Sequence, residues 1–189
     1  MIHMVQNKNN LELEIILVLL NNKIHLREIA RILNESHSTI LRKINEFVKE
    51  NILDYKKEGK NKIFFIKNNL KAKNYIYSAE IYKLNKILKQ CPKLSIIFED
   101  IKKNFPRGMI ILFGSYAKGN PKEDSDIDIY LETNDNKIKN KVKELNSKLS
   151  IKIGKFDTRS LLIKEIIKNH IIISGLEDFY ERVDFFKET

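Results

Sequence analysis

The stretch Met109-Ile110-Ile111-Leu112-Phe113-Gly114-Ser115-Tyr116-Ala117-Lys118-Gly119, followed by Ser125-Asp126-Ile127-Asp128-Ile129-Tyr130-Leu131, decides the reading of this chain. Residues 109–113 form an apolar run of strand length and composition that stops at a glycine. Gly114 permits close backbone approach to a ligand, Ser115 suits a helix N-cap, and the turn that follows aims backbone N–H groups at an anion such as a triphosphate. Asn120-Pro121-Lys122-Glu123-Asp124 reads as a solvated turn. From Asp126 to Leu131 polar and apolar residues alternate with period two, which predicts a strand carrying Asp126 and Asp128 on one face. Two adjacent carboxylates repel unless a cation neutralises them, and oxygen ligands beside a phosphate suit Mg²⁺.

A Gly-Ser turn, a ten-residue interval and an Asp-x-Asp strand resemble the DNA polymerase beta-like nucleotidyltransferase superfamily, most closely its minimal nucleotidyltransferase branch, which includes MntA-type antitoxins. The resemblance implies that Gly114 and Ser115, with Lys118 beside them, bind the nucleotide phosphates. It also implies that Asp126 and Asp128 hold Mg²⁺ as catalytic ligands, with ATP or another nucleoside triphosphate as substrate. Members of that family usually add a third carboxylate from a later strand, as metal ligand or general base. The later strand here is Leu149-Ser150-Ile151-Lys152-Ile153-Gly154-Lys155-Phe156, whose polar face offers Ser150, Lys152 and Gly154. Asp157 is the nearby acid, and two roles stay open for it. It reads as the N-cap of a helix beginning at Thr158, or as the catalytic carboxylate if Gly154 marks a bulge that resets the strand parity. With Lys152 in the acid's place, the site would bind a ligand without supporting transfer.

Charge is uneven along the chain. Residues 1–90 carry 17 Lys and Arg against 9 Asp and Glu, whereas residues 91–189 carry 18 against 16. The basic half is patterned: Leu11 to Leu20 predicts a buried helix, residues 26–33 repeat apolar side chains at helical spacing, and Asn34-Glu35-Ser36 makes a turn. In the next segment Ile40, Leu41, Ile44, Phe47 and Val48 predict an inward stripe, leaving Ser38, Thr39, Arg42, Lys43 and Asn45 to solvent. Residues 52–57 and 62–67 then read as two strands around a basic tip, Glu58-Gly59-Lys60-Asn61. This order is similar to the winged helix-turn-helix family. By that resemblance Ser38, Thr39, Arg42 and Lys43 face a DNA major groove, and Lys57, Lys60 and Lys62 lie near phosphates. Such a fold also serves protein contacts, with its charged face merely solvated.

The expected architecture is α+β: a winged helix-turn-helix domain over residues 1–69, a connecting helix over 70–90, and a small nucleotidyltransferase α/β domain with a mixed sheet over 91–189. On the connecting helix Tyr75, Ala79, Tyr82 and Lys86 form the expected packing stripe, and residues 177–187 form a last helix. The longest early apolar stretch, Ile15 to Leu20, is far short of a membrane span and follows no secretory leader, so a cytoplasmic protein is expected. Cys91 is the single cysteine and excludes an internal disulfide, while the four histidines lack ligand spacing. The expected partners are duplex DNA and a protein acceptor, with a HEPN-type toxin implied by the MntA resemblance; a homodimer fits paired DNA half-sites. The competing reading is a transcriptional regulator whose nucleotidyltransferase-like domain binds nucleotide without turnover.

Overall fold

The computed structural model describes residues 10–21, 24–59 and 61–185. In chain order the elements are α1 (Leu11–Asn21), β1 (Ile24–His25), α2 (Leu26–Leu33), α3 (His37–Lys49), β2 (Leu53–Glu58), β3 (Asn61–Ile66) and α4 (Leu70–Gln90). They continue with α5 (Lys93–Asn104), β4 (Ile110–Phe113), α6 (Gly114–Ala117), β5 (Ile127–Leu131), α7 (Asn136–Lys143), β6 (Leu149–Ile153), α8 (Leu161–Lys168), β7 (Ile171–Ser174) and α9 (Leu176–Arg182). Two compact units divide inside α4, after Ala79, and not at the expected boundary near residue 90. The last helix ends at Arg182, short of the expected Lys187.

In the amino-terminal unit three helices pack with an antiparallel sheet of order β1-β3-β2. Short local signals set its joints. Asn34 ends α2 in the left-handed conformation that asparagine tolerates, at φ 52°. Two residues later Ser36 caps α3, its Oγ accepting from the Thr39 amide at 3.1 Å. Helix α3 buries Ile40, Ile44 and Phe47, while Leu41, expected to face inward, is 38% exposed. One narrow stripe suffices because Ile15, Ile16 and Ile29 fill the same core and are themselves fully buried. The hairpin β2–β3 pairs Leu53 with Ile66 at its base and Glu58 with Asn61 at its tip.

Helix α4 buries Ala72, Ile76, Ala79, Glu80 and Ile87. This stripe is rotated from the expected Tyr75–Ala79–Tyr82–Lys86 line. The aromatic rings sit at its margin, with Tyr75 edge-on to Phe47 at 5.3 Å.

The carboxyl-terminal unit is built on a mixed sheet of order β6-β5-β4-β7. Strands β5 and β6 run parallel, as their crossover through α7 requires, and the remaining pairs are antiparallel. Ile110, Leu112, Ile127, Ile129, Leu131, Leu149 and Ile151 share one core cluster with Leu94, Phe98 and Ile101 of α5. The alternate residues of β5 and β6 are therefore released to the other side of the sheet. There Tyr130 is buried and starts an aromatic chain through Phe156, Phe179 and Tyr180, with ring centroids 5.4 to 6.1 Å apart.

Within this unit Glu80, 2% exposed, receives the Tyr180 hydroxyl at 2.9 Å and Lys83 Nζ at 3.5 Å. His170 donates through Nδ1 to the carbonyls of Ile166 and Ile167, which leaves Nε2 3.4 Å from the same carboxylate. That contact is off the hydrogen-bonding direction, so Nε2 has no hydrogen-bond partner among the described residues.

Candidate functional site

Strand β4 is buried along its whole length, and the chain must reverse where it ends. Gly114 supplies the reversal with φ +70°. Helix α6 begins at this glycine with no side-chain cap, so Ser115, expected as the N-cap, lies inside its first turn. Buried Tyr116 anchors the turn from below. The amides of Lys118, Gly119 and Asn120 bond back to the carbonyls of Gly114, Tyr116 and Ser115. A first turn leaves its leading amides without an intrahelical acceptor, which is the chemistry an anion needs.

The antiparallel register places Phe113 opposite Asp128. Asp128 consequently lies directly against the turn. A Cβ added at Gly114 would collide with Asp128 Oδ2 and stand 3.1 Å from its Cγ. The glycine thus serves both the backbone conformation and the close approach of a carboxylate. Asp126 is exposed and immediately precedes β5, while Asp128 is half-buried within it; Ile127 between them is buried, so alternation carries the pair to the same side of the chain. The loop before them is tied down, with the Lys122 amide on Ser125 Oγ at 2.8 Å and Lys148 Nζ on the Glu123 carbonyl at 2.7 Å.

We expect Gly114→Ala to cost about 1–2 kcal/mol from the left-handed backbone. The contact with Asp128 is relieved by swinging its carboxylate away, so metal-dependent nucleotide affinity should fall about tenfold or more as well. Thermal unfolding and nucleotide titration on the same variant read the two effects separately.

The parallel register sets Ser150 of β6 opposite Asp128 and Lys152 opposite Tyr130, on the face that bears the carboxylate. Among the described residues no three His, Cys, Asp or Glu side chains gather into a metal-binding group. Asp157 stands apart, exposed and held by Arg159, whose Nε lies 3.1 Å from Oδ1 and whose amide lies 3.0 Å from it. The Arg159 guanidinium and amide hold the Asp157 carboxyl below its ordinary value. The capping role expected of Asp157 does not match this placement. Helix α8 starts later, at Leu161, and Ser160 caps it by accepting from the Ile163 amide at 3.2 Å. Strand β6 ends at Ile153, so Gly154 and Asp157 lie beyond its paired residues.

Lys118, at the end of the turn, pairs with Glu165 of α8 at 3.1 Å. Nothing local in the sequence joins these residues, 47 positions apart.

Residues 94–185 match the family model described as a nucleotidyltransferase domain. The match spans the carboxyl-terminal sheet, the Gly114 turn and both aspartates. This match supports nucleotidyl transfer in general, which in such domains uses a nucleoside triphosphate and typically a divalent metal. No curated protein and no solved structure matches the chain significantly. Among the described residues no helix is long and apolar enough to cross a membrane.

The residues expected at DNA divide in the amino-terminal unit. Ser38 and Arg42 are exposed, Arg42 being paired to Glu46 at 2.9 Å. Thr39 is half-buried, its hydroxyl 2.8 Å from Ser36 Oγ. Lys43 does not face solvent as expected: it is 19% exposed and lies 2.6 Å from Glu12 and 3.0 Å from Glu46. Those two carboxylates, Glu12 first, raise its ammonium pKa. Lys57 and Lys62 are exposed on the hairpin, with Lys62 Nζ 3.9 Å from the centre of the Tyr55 ring. Lys60 lies outside the described residues.

Proposed function

We propose that this protein transfers a nucleoside monophosphate, AMP from ATP, to a hydroxyl on a protein or other acceptor, and that its amino-terminal unit is a winged helix that binds duplex DNA. The apposition of the Gly114 turn to Asp128 carries the reading, because it brings an anion-binding turn and a cation-binding carboxylate into contact. The donor set fits Mg²⁺, which accepts one or two protein carboxylates and completes its shell with water and substrate phosphates. Asp126 and Asp128 would hold the ion. Its chemistry there is to neutralise charge that develops on the phosphate oxygens. Ser115 and the amides of the turn orient the triphosphate. The acceptor oxygen forms a bond to the α-phosphorus as the bond to the bridging oxygen breaks; pyrophosphate leaves and the hydroxyl proton passes to water. An antitoxin-like role, with a HEPN-type toxin as acceptor, is one form of this reading.

A second reading has its own support. Ser150 and Lys152 occupy the strand positions beside the carboxylate pair, and Asp157 is engaged elsewhere. A site with this composition suits a DNA-binding regulator that holds nucleotide without turnover. Pyrophosphate release separates the two, measured for ATP, GTP, CTP and UTP with Mg²⁺ and an extract supplying acceptors. Release from ATP that requires both aspartates supports the transferase. Saturable nucleotide binding with no release from any of the four supports the regulator.

A further inference from the structure

Resting on the proposal that the amino-terminal unit binds duplex DNA, we propose that the sequence is read by the His37–Leu41–Asn45 edge of α3, with preference for A·T pairs, rather than by Arg42 and Lys43. His37, Leu41 and Asn45 recur every four residues and are all exposed. With Arg27, and with Lys62 and Phe64 of β3, they line a groove of about 490 Å³.

Three observations select this edge. Leu41 is a large apolar side chain the fold does not use, since Ile40, Ile44 and Phe47 already serve the core while Leu41 stays 38% exposed. The two cations with the best helical position are neutralised within the chain, because Arg42 and Lys43 share Glu46 and Lys43 also holds Glu12. The groove's own carboxylate, Glu28, is bound by Arg31 at 2.5 Å, and among the described residues Arg27 and Lys62 have no carboxylate partner. A positive rim in a half-chain of 17 cations against 9 anions complements a polyanion.

Base chemistry then follows from the side chains. An asparagine amide pairs in bidentate fashion with adenine N6 and N7, and an apolar side chain meets the thymine methyl group. Leu41 and Asn45 are separated by roughly 6 Å of helix rise, a span of about two base steps. Arg27 and Lys62 supply contacts that position the duplex and carry no sequence information.

The test selects a randomised duplex pool on the full chain, then measures salt-dependent affinity for an A·T-containing selected duplex and its G·C counterpart. We expect an A·T-rich selected core. Asn45→Ala and Leu41→Ala should each reduce the discrimination about tenfold at one position, and Lys43→Gln should leave it intact. A G·C-rich core, or full discrimination in both the Asn45 and Leu41 variants, would overturn the reading edge while leaving DNA binding in place. Absence of salt-dependent binding to every duplex would overturn DNA binding and this inference together. Unchanged circular dichroism melts establish that the exposed substitutions leave the fold intact.

Discussion

Asp126→Asn/Asp128→Asn protein should lose Mg²⁺-dependent nucleotide binding by at least roughly 100-fold. Altering groups that merely support a metal ligand typically costs 10- to 100-fold in affinity, and this double variant removes both anionic ligands directly. No other acid, histidine or cysteine among the described residues joins the pair to compensate. The replacement keeps side-chain volume, and Asp126 is exposed and Asp128 half-buried, so the fold should survive. Calorimetric titration of nucleotide with and without Mg²⁺ reads the effect. Wild-type protein should bind far more tightly with the ion; in the variant the two titrations should coincide. Equal, strongly Mg²⁺-dependent affinities in both proteins would remove the aspartates from the metal site.

Glu80→Gln should destabilise the carboxyl-terminal unit by about 3 kcal/mol, because deleting one member of a buried ion pair leaves the other charge uncompensated. Burial raises the Glu80 carboxyl, but His170, Lys83 and Tyr180 outweigh it and hold the group at about 2 against an ordinary 4.5. A folded-state value below the unfolded one means stabilisation that is complete above pH about 4.5 and disappears as the pH falls through about 2. A shift of that size is worth about 3 kcal/mol, in line with the mutational expectation. Urea unfolding across the acid range should show wild-type stability declining over that window and a flatter dependence in Glu80→Gln. Identical acid limbs would show that Glu80 does not carry this linkage.

Local pattern made much of the site legible. The apolar strand, the glycine that must turn and the alternation through Ile127, Ile129 and Leu131 depend on nearest neighbours, and they predict the turn and a strand with Asp126 and Asp128 on one face; the contact between Gly114 and Asp128 comes from the antiparallel register. Helix α3 was readable for similar reasons, since Ser36 precedes a periodic apolar run. Leu41 was misread because Ile40 and Ile44 flank it on a stripe wide enough to absorb it; only the packing of α1 and α2 narrows that stripe. Charge partners were beyond local reading. Lys43 meets Glu12 across 31 residues, Lys118 meets Glu165 across 47, and Tyr180 meets Glu80 across 100. None of these distances corresponds to a helical or strand period. Asp157 was misread by a shorter range: an aspartate ahead of an apolar run resembles a cap, but Ser160 stands nearer to Leu161 and takes that role.

Nucleotidyl transfer by residues 94–185 is tested most directly by following two labels at once. ATP labelled at the α-phosphorus and ATP labelled at the γ-phosphorus are incubated separately with purified chain, Mg²⁺ and an extract containing acceptors, beside Asp126→Asn/Asp128→Asn protein. If residues 94–185 transfer nucleotide, α-label and not γ-label moves to a macromolecule, and only with both aspartates intact. Stable nucleotide binding with neither label transferred, or α-label transferred equally by the double variant, would contradict it.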